Sequence, residues 1–161
     1  MLTDRGVGPL LDAGALAGEW LDGCTSLHLP AYSLVREPVA GAALAAARRL
    51  PRLSIDLSST AALASYGVDR FRALLARLRP QIVFGNEAEA ALIGDLAGAD
   101  LVVKLGPGGA RANGRVHAAH PARAVDPTGA GDAFAAGYLL GGVTLGLAAA
   151  ARALAKMGAM P

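Results

Sequence analysis

Short apolar runs alternate with longer stretches of helical period along the chain. Leu53 to Leu57 reads as a buried strand that delivers Asp56, Ser58, Ser59 and Thr60 at its carboxyl end. Ser26–Leu29, closed by Pro30, Ile82–Phe84 and Leu101–Leu105 read as further strands. Helical spacing predicts helices over Leu10–Leu21, Val39–Leu50, Val68–Leu78, Asn86–Ile93, Ala133–Leu140 and Thr144–Met157. In Val68–Leu78 the stripe is Val68, Phe71, Leu75 and Leu78; in Leu10–Leu21 it is Leu11, Ala15, Leu16 and Trp20. Arg48 and Arg49 end the alanine- and leucine-rich helix Val39–Leu50, where the dipole favours cations, and Thr144 is placed to cap the last helix. Asn113-Gly114 predicts a two-residue hairpin turn. Strand and helix alternate, which predicts an α/β fold with helices on both faces of a mostly parallel sheet and ligands at the strand carboxyl ends. No repeat or long linker interrupts the pattern, so residues 1–161 are expected to form one domain.

Composition narrows this picture. The chain has 161 residues, enough for one core, with 53% apolar and 17% charged residues and a net charge of +2. Arginines are scattered over helical segments and aromatics are few, which argues against nucleic acid as a partner. No apolar run reaches the length of a membrane span, and Asp4 and Arg5 precede any apolar run, unlike a signal peptide. A single cysteine, Cys24, excludes an intramolecular disulfide, and a reducing cytoplasm is the expected location. His28, His117 and His120 lack zinc-ligand spacing.

The chemistry concentrates in Ala124 to Phe134. An extended approach runs into Asp126, small residues Gly129, Ala130 and Gly131 follow, and Asp132 opens a helical run. A loop of small residues at a helix start offers free N–H groups and the positive dipole end to an anion. Asp132 there either caps the dipole or serves as the base for an incoming hydroxyl in phosphoryl transfer. Asn86-Glu87-Ala88-Glu89 has the spacing of a capping box. Lys104-Leu105-Gly106-Pro107-Gly108-Gly109 leaves a strand as a glycine-rich loop.

Asp126-Pro127-Thr128-Gly129-Ala130-Gly131-Asp132 closely resembles the signature of the ribokinase-like carbohydrate kinases, the PfkB family. It is neither a Walker A loop nor a Rossmann fingerprint. The resemblance implies a three-layer ribokinase-like (Rossmann-like) fold and transfer of a phosphoryl group from ATP to a hydroxymethyl group of a sugar or sugar acid. It implies Asp132 as catalytic base and substrate contact, and Gly129, Ala130 and Gly131 as the anion hole. Asn86 and Glu89 resemble the Asn-x-x-Glu motif that organises Mg²⁺ through its waters; Asn86, Lys104, Gly106, Gly109 and Gly131 match nucleotide-site positions. The carbonyls of Asp126 and Thr128 match those that hold a monovalent cation, K⁺ among them. Asp4-Arg5-Gly6 resembles a segment of the 2-keto-3-deoxygluconate kinases, where Arg5 would suit an acidic sugar. Leu147–Ala151 is apolar where members often carry a polar residue lining the adenine pocket, which argues against tight ATP recognition.

Family members run about twice this length. The glycine-rich sugar-binding segment and β-sheet lid of their first half are not visible, so the chain is expected to be the C-terminal, nucleotide-binding and catalytic portion. Two rival readings follow: a nucleoside kinase of the same fold, and a non-catalytic nucleotide-binding remnant or assembly module that self-associates as a homo-oligomer.

Overall fold

Three of the apolar runs pair in parallel: β1 (Leu27–Pro30), β2 (Leu53–Asp56) and β3 (Ile82–Asn86), with Leu27 opposite Leu53 and Ser54 opposite Ile82. Parallel neighbours cannot be joined by a tight turn. The crossovers are α1 (Val39–Ala47) between β1 and β2, and α2 (Thr60–Tyr66) with α3 (Val68–Leu78) between β2 and β3. β3 runs directly into α4 (Glu87–Ile93). Leu29, Ile55, Leu57, Leu63, Phe71, Leu75, Val83 and Ile93 interlock as the core of this region. The computed structural model describes residues 6–159, and they divide into two units, one ending at Leu101 and one beginning at Val102.

The first unit corrects several expectations. Leu10–Leu21 is not an α-helix; it forms two short 3₁₀ turns, Gly8–Leu10 and Gly18–Leu21, with no buried residue in either. Gly14 and Gly18 each cost about 1 kcal/mol in a helix interior, the Asp12 carboxylate takes the Ala15 N–H at 2.8 Å, and Trp20 of the expected stripe is exposed. α1 stops at Ala47, so Arg48 and Arg49 lie past its last turn. Arg49 instead donates to the Gly18 carbonyl at 2.6 Å. α2 is a helix that periodicity did not predict; its start is marked by Ser59, whose hydroxyl accepts the Ala62 N–H at 3.2 Å. α3 matches its predicted bounds, and its buried face adds Leu74 to Phe71 and Leu75.

In the second unit, β4 (Asp100–Lys104, entering from the first unit) pairs antiparallel with β5 (Ala110–Ala112), and β5 with β6 (Arg115–His117). Asn113 and Gly114 both have positive φ, 52° and 72°, which is the hairpin turn their sequence predicts. The last element, α5 (Ala130–Leu154), is 25 residues long but broken by non-helical backbone at Gly141 and Gly142. Its ends fold back on each other. A β-carbon placed on Gly146 would lie 2.9 Å from the Phe134 carbonyl oxygen, and one on Gly137 would lie 2.7 Å from that of Leu145. In a straight helix residues 134 and 146 would stand ~18 Å apart. α5 is therefore a hairpin of two arms, residues 130–140 and 143–154. Gly142, not Thr144, precedes the second arm, and Thr144 lies in its first turn. As a whole α5 has the length and apolarity of a membrane span, but each arm is shorter than the ~20 residues a hydrocarbon core requires.

Candidate active site

The loop leading into α5 is built from both ends of that hairpin. The N–H groups of Val125 and Asp126 donate to the Leu154 carbonyl at 2.7 and 3.3 Å. The Asp126 carboxylate accepts the Thr128 N–H on one oxygen and the Gly158 N–H on the other, both at 2.9 Å. The Thr128 hydroxyl, the Thr128 N–H and the Gly158 N–H, in that order, hold the Asp126 carboxyl below its ordinary range, because each favours the charged form.

The chain then turns sharply. The Pro127 carbonyl accepts the Ala130 N–H at 3.2 Å, and Gly129 takes a left-handed conformation, φ 78°. A β-carbon on Gly129 would stand 2.9 Å from Cα of Ala159, so both the dihedral and the close approach demand glycine. The Gly129 carbonyl accepts the Ala133 N–H at 2.9 Å and the helix has begun. First-turn N–H groups have no intrahelical acceptor and carry the positive dipole end; with that of Ala130 taken by Pro127, they belong here to Gly131 and Asp132. Asp132 is exposed in this turn.

Lys104, the last residue of β4, reaches the same turn. Its Nζ lies 3.4 Å from where a β-carbon on Gly131 would be. The Lys104 side chain thus lies against the helix start, adding its positive charge to the partial charge of the N–H groups. The loop after β4 is a 3₁₀ turn, Gly106–Gly108. It is closed by the Gly109 N–H to the Gly106 carbonyl at 3.0 Å and the Leu105 N–H to the Gly109 carbonyl at 2.9 Å. Its two candidate glycines differ. Gly109 (φ 94°) is packed: a β-carbon there would meet the His117 carbonyl and the Ala119 nitrogen, the latter at 2.6 Å. Gly106 (φ 56°) faces open space, with no atom near the position a side chain would take.

In the first unit, Asn86 and Glu89 form a reciprocal capping box at the start of α4. The Asn86 side chain accepts the Glu89 N–H at 2.9 Å and one Glu89 oxygen accepts the Asn86 N–H at 2.9 Å. Glu89 is 4% exposed, and a β-carbon on Gly85 would lie 2.8 Å from Leu57 Cδ1 and 3.3 Å from the Glu89 β-carbon. No cluster of three or more His, Cys, Asp or Glu side chains fit to hold a metal occurs among the described residues. Arg5 lies outside the described residues. Sequence reasoning missed Leu154, Gly158 and Ala159. They touch the loop from about thirty residues further on, and no motif or period advertises them.

A sequence model of the pfkB family of carbohydrate kinases matches residues 62–160, more than half of the chain and all of the loop and turn just described. The fold is similar to that of a probable sugar kinase from Rhizobium etli CFN 42, with TM-score 0.84 and 24% identity over 94% of this chain and 55% of that one. Adenosine kinase from Sinorhizobium meliloti gives TM-score 0.82 and 23% identity, with 94% and 55% covered. A putative ribokinase II from E. coli, solved with ATP and Mg²⁺, gives TM-score 0.76 and 23% identity, with 94% and 59% covered. These likenesses show the fold: a mixed α/β sheet flanked by helices on both faces, a partial ribokinase-like arrangement. The chain spans little more than half the length of each of these relatives.

Proposed function

Because the chain belongs to the pfkB family of carbohydrate kinases, we propose that it serves as the phosphoryl-donor side and catalytic base of an ATP-dependent phosphotransferase acting on a hydroxymethyl group of a sugar or sugar acid. Both units then count as parts of one partial kinase domain. The observation that carries this reading is the turn at the start of α5, within the proposed anion hole of Gly129, Ala130 and Gly131, where the first-turn N–H groups of Gly131 and Asp132, the Lys104 side chain and the exposed Asp132 carboxylate come together. A site rich in donors suits the oxygens of a transferring phosphoryl group, whose charge grows in the transition state. Asp132 accepts the proton of the attacking hydroxyl.

ATP fits the donor set as an anion, with Lys104, Gly106 and Gly131 toward its phosphates; Asn86 and Gly109 complete the proposed nucleotide positions. Mg²⁺ supplies charge neutralisation of the phosphates when bound. Asn86 and Glu89 suit it only through water: one Glu89 oxygen is already taken by the capping box, and Mg²⁺ keeps several waters. The carbonyls of Asp126 and Thr128 are the proposed holders of a monovalent cation such as K⁺. Arg5 is the proposed contact for an acidic substrate, which would lean toward the 2-keto-3-deoxygluconate kinases.

The test is Asp132→Asn in a kinase assay with a substrate panel of sugars, sugar acids and adenosine. Turnover should fall by about 10²–10⁴ with nucleotide binding retained, as expected for loss of a general base; equal turnover in the two proteins defeats the reading. The adenosine arm decides for or against a nucleoside kinase, since the adenosine kinase and the sugar kinase match this fold about equally. One observation favours a second reading, a non-catalytic nucleotide-binding or assembly module. The chain covers 55% of its relatives, and catalysis needs the acceptor held against the donor. Leu139, Leu140 and Leu145 are also exposed. Light scattering of the 161-residue chain beside the kinase assay separates the two: a self-associated, inactive species supports the module, and a monomer with sugar-dependent ADP release supports the enzyme.

A further inference from the structure

We propose that the Asp126 side chain is a positioning residue for the anion-binding turn: it fastens the segment after α5 onto the loop before α5 and so fixes the direction of the Gly131 and Asp132 N–H groups. The proposal rests on the kinase reading for its purpose but on contacts within the second unit for its content. The two backbone N–H groups that the Asp126 carboxylate accepts, beside the Thr128 hydroxyl, fall on different oxygens, Thr128 on one and Gly158 on the other. Only a group with two acceptor oxygens satisfies both. An asparagine has one acceptor and would turn an NH₂ donor toward the remaining N–H.

The consequence of the staple lies one residue further along each strand of contact. Gly158 at φ 81° leads into Ala159, and Ala159 sits where a side chain on Gly129 would be. Gly129 in turn holds the left-handed conformation from which the first turn departs. Thr128, bonded to the same carboxylate, is the residue before Gly129. Release of Gly158 therefore removes the stop behind Gly129, and release of Thr128 frees its approach. Asp126 touches neither phosphate nor acceptor in this scheme; it acts through Gly129. The backbone bonds of Val125 and Asp126 to the Leu154 carbonyl form a second tie that survives loss of the carboxylate, so a variant retains its fold while the turn loosens.

The experiment uses the nitrogen-labelled 161-residue chain as wild type, Asp126→Asn and Asp126→Glu, with backbone amide spectra and hydrogen exchange. In Asp126→Asn the Gly158 amide should exchange at least about tenfold faster, as befits loss of a hydrogen bond to a charged group. The Gly131 and Asp132 amides, which do not touch the carboxylate, should shift and broaden. Asp126→Glu, with two acceptors retained, should restore part of both effects, and the amides of β1, β2 and β3 should stay unchanged in all three proteins. Gly131 and Asp132 amides that keep their wild-type positions and exchange in Asp126→Asn overturn the proposal, whatever Gly158 does. Adding ATP with Mg²⁺ to the wild type tests the kinase reading separately: unmoved Gly131 and Asp132 amides there count against phosphate binding at this turn and leave the staple standing.

Discussion

Each of the two units is packed internally in its own way. In the first, large aliphatic and aromatic side chains fill the space between helices and parallel strands, with Ile55, Leu57, Leu63, Phe71, Val83 and Phe84 fully enclosed. In the second, the backbone itself does much of the packing. Gly129 admits Ala159, Gly137 admits Leu145 and Gly146 admits Phe134. Side-chain burial gives the first region stability that depends on volume. Close backbone approach gives the second a geometry that depends on the absence of volume, and it is there that the proposed chemistry sits. A framework of filled space tolerates small shifts at its surface; close backbone approach, as at Gly129, leaves no room for a side chain.

Three substitutions probe that contrast. Phe71→Ala, in the middle of the filled region, should cost about 3–5 kcal/mol, the usual range for emptying a buried aromatic site. Urea unfolding followed by far-ultraviolet circular dichroism measures it; a loss under about 1 kcal/mol would mean that the first unit is not held by volume. Gly146→Ala adds a single methyl in the other region and should cost about 1–3 kcal/mol, because that methyl meets the Phe134 carbonyl at 2.9 Å and its ring carbons at 3.1 Å. A neutral or stabilising result would show that the arms of α5 move apart freely. Asn86→Ala, which removes half of the capping box, should cost about 1 kcal/mol. If it leaves stability unchanged while weakening Mg²⁺-dependent nucleotide binding, Asn86 belongs to the ligand site more than to the helix.

The same contrast explains what could be read in the sequence. α3 was legible to the residue because Phe71 and Leu75 recur at helical period and Pro80 follows. The capping box at Asn86 and the Asn113-Gly114 turn were legible because their chemistry is local. Leu10–Leu21 misled because its spacing is helical while Gly14 and Gly18 and the Asp12 side chain favour other backbone states. The signature loop could be recognised, yet its fastening could not: Asp126 meets Gly158 across 32 residues, and no spacing rule links them. The reversal in α5 was legible only as a gap between two helical runs. That the runs touch follows from Gly137 and Gly146, whose lack of side chains looks in the sequence like ordinary helix weakness.

The reversal at Gly141 and Gly142 also sets an order of events when the chain folds. Gly137 meets Leu145 only eight residues away, and contacts so near in sequence form fast because little chain must be closed to make them. The ties of Val125 and Asp126 to Leu154 and Gly158 close loops of about thirty residues, and they can form only after both arms exist to bring those ends together. The arms should therefore pair early, and the turn at the start of α5 should be the late-forming part of its unit. Refolding watched residue by residue would then show Gly137 and Gly146 amides protected before that of Gly158.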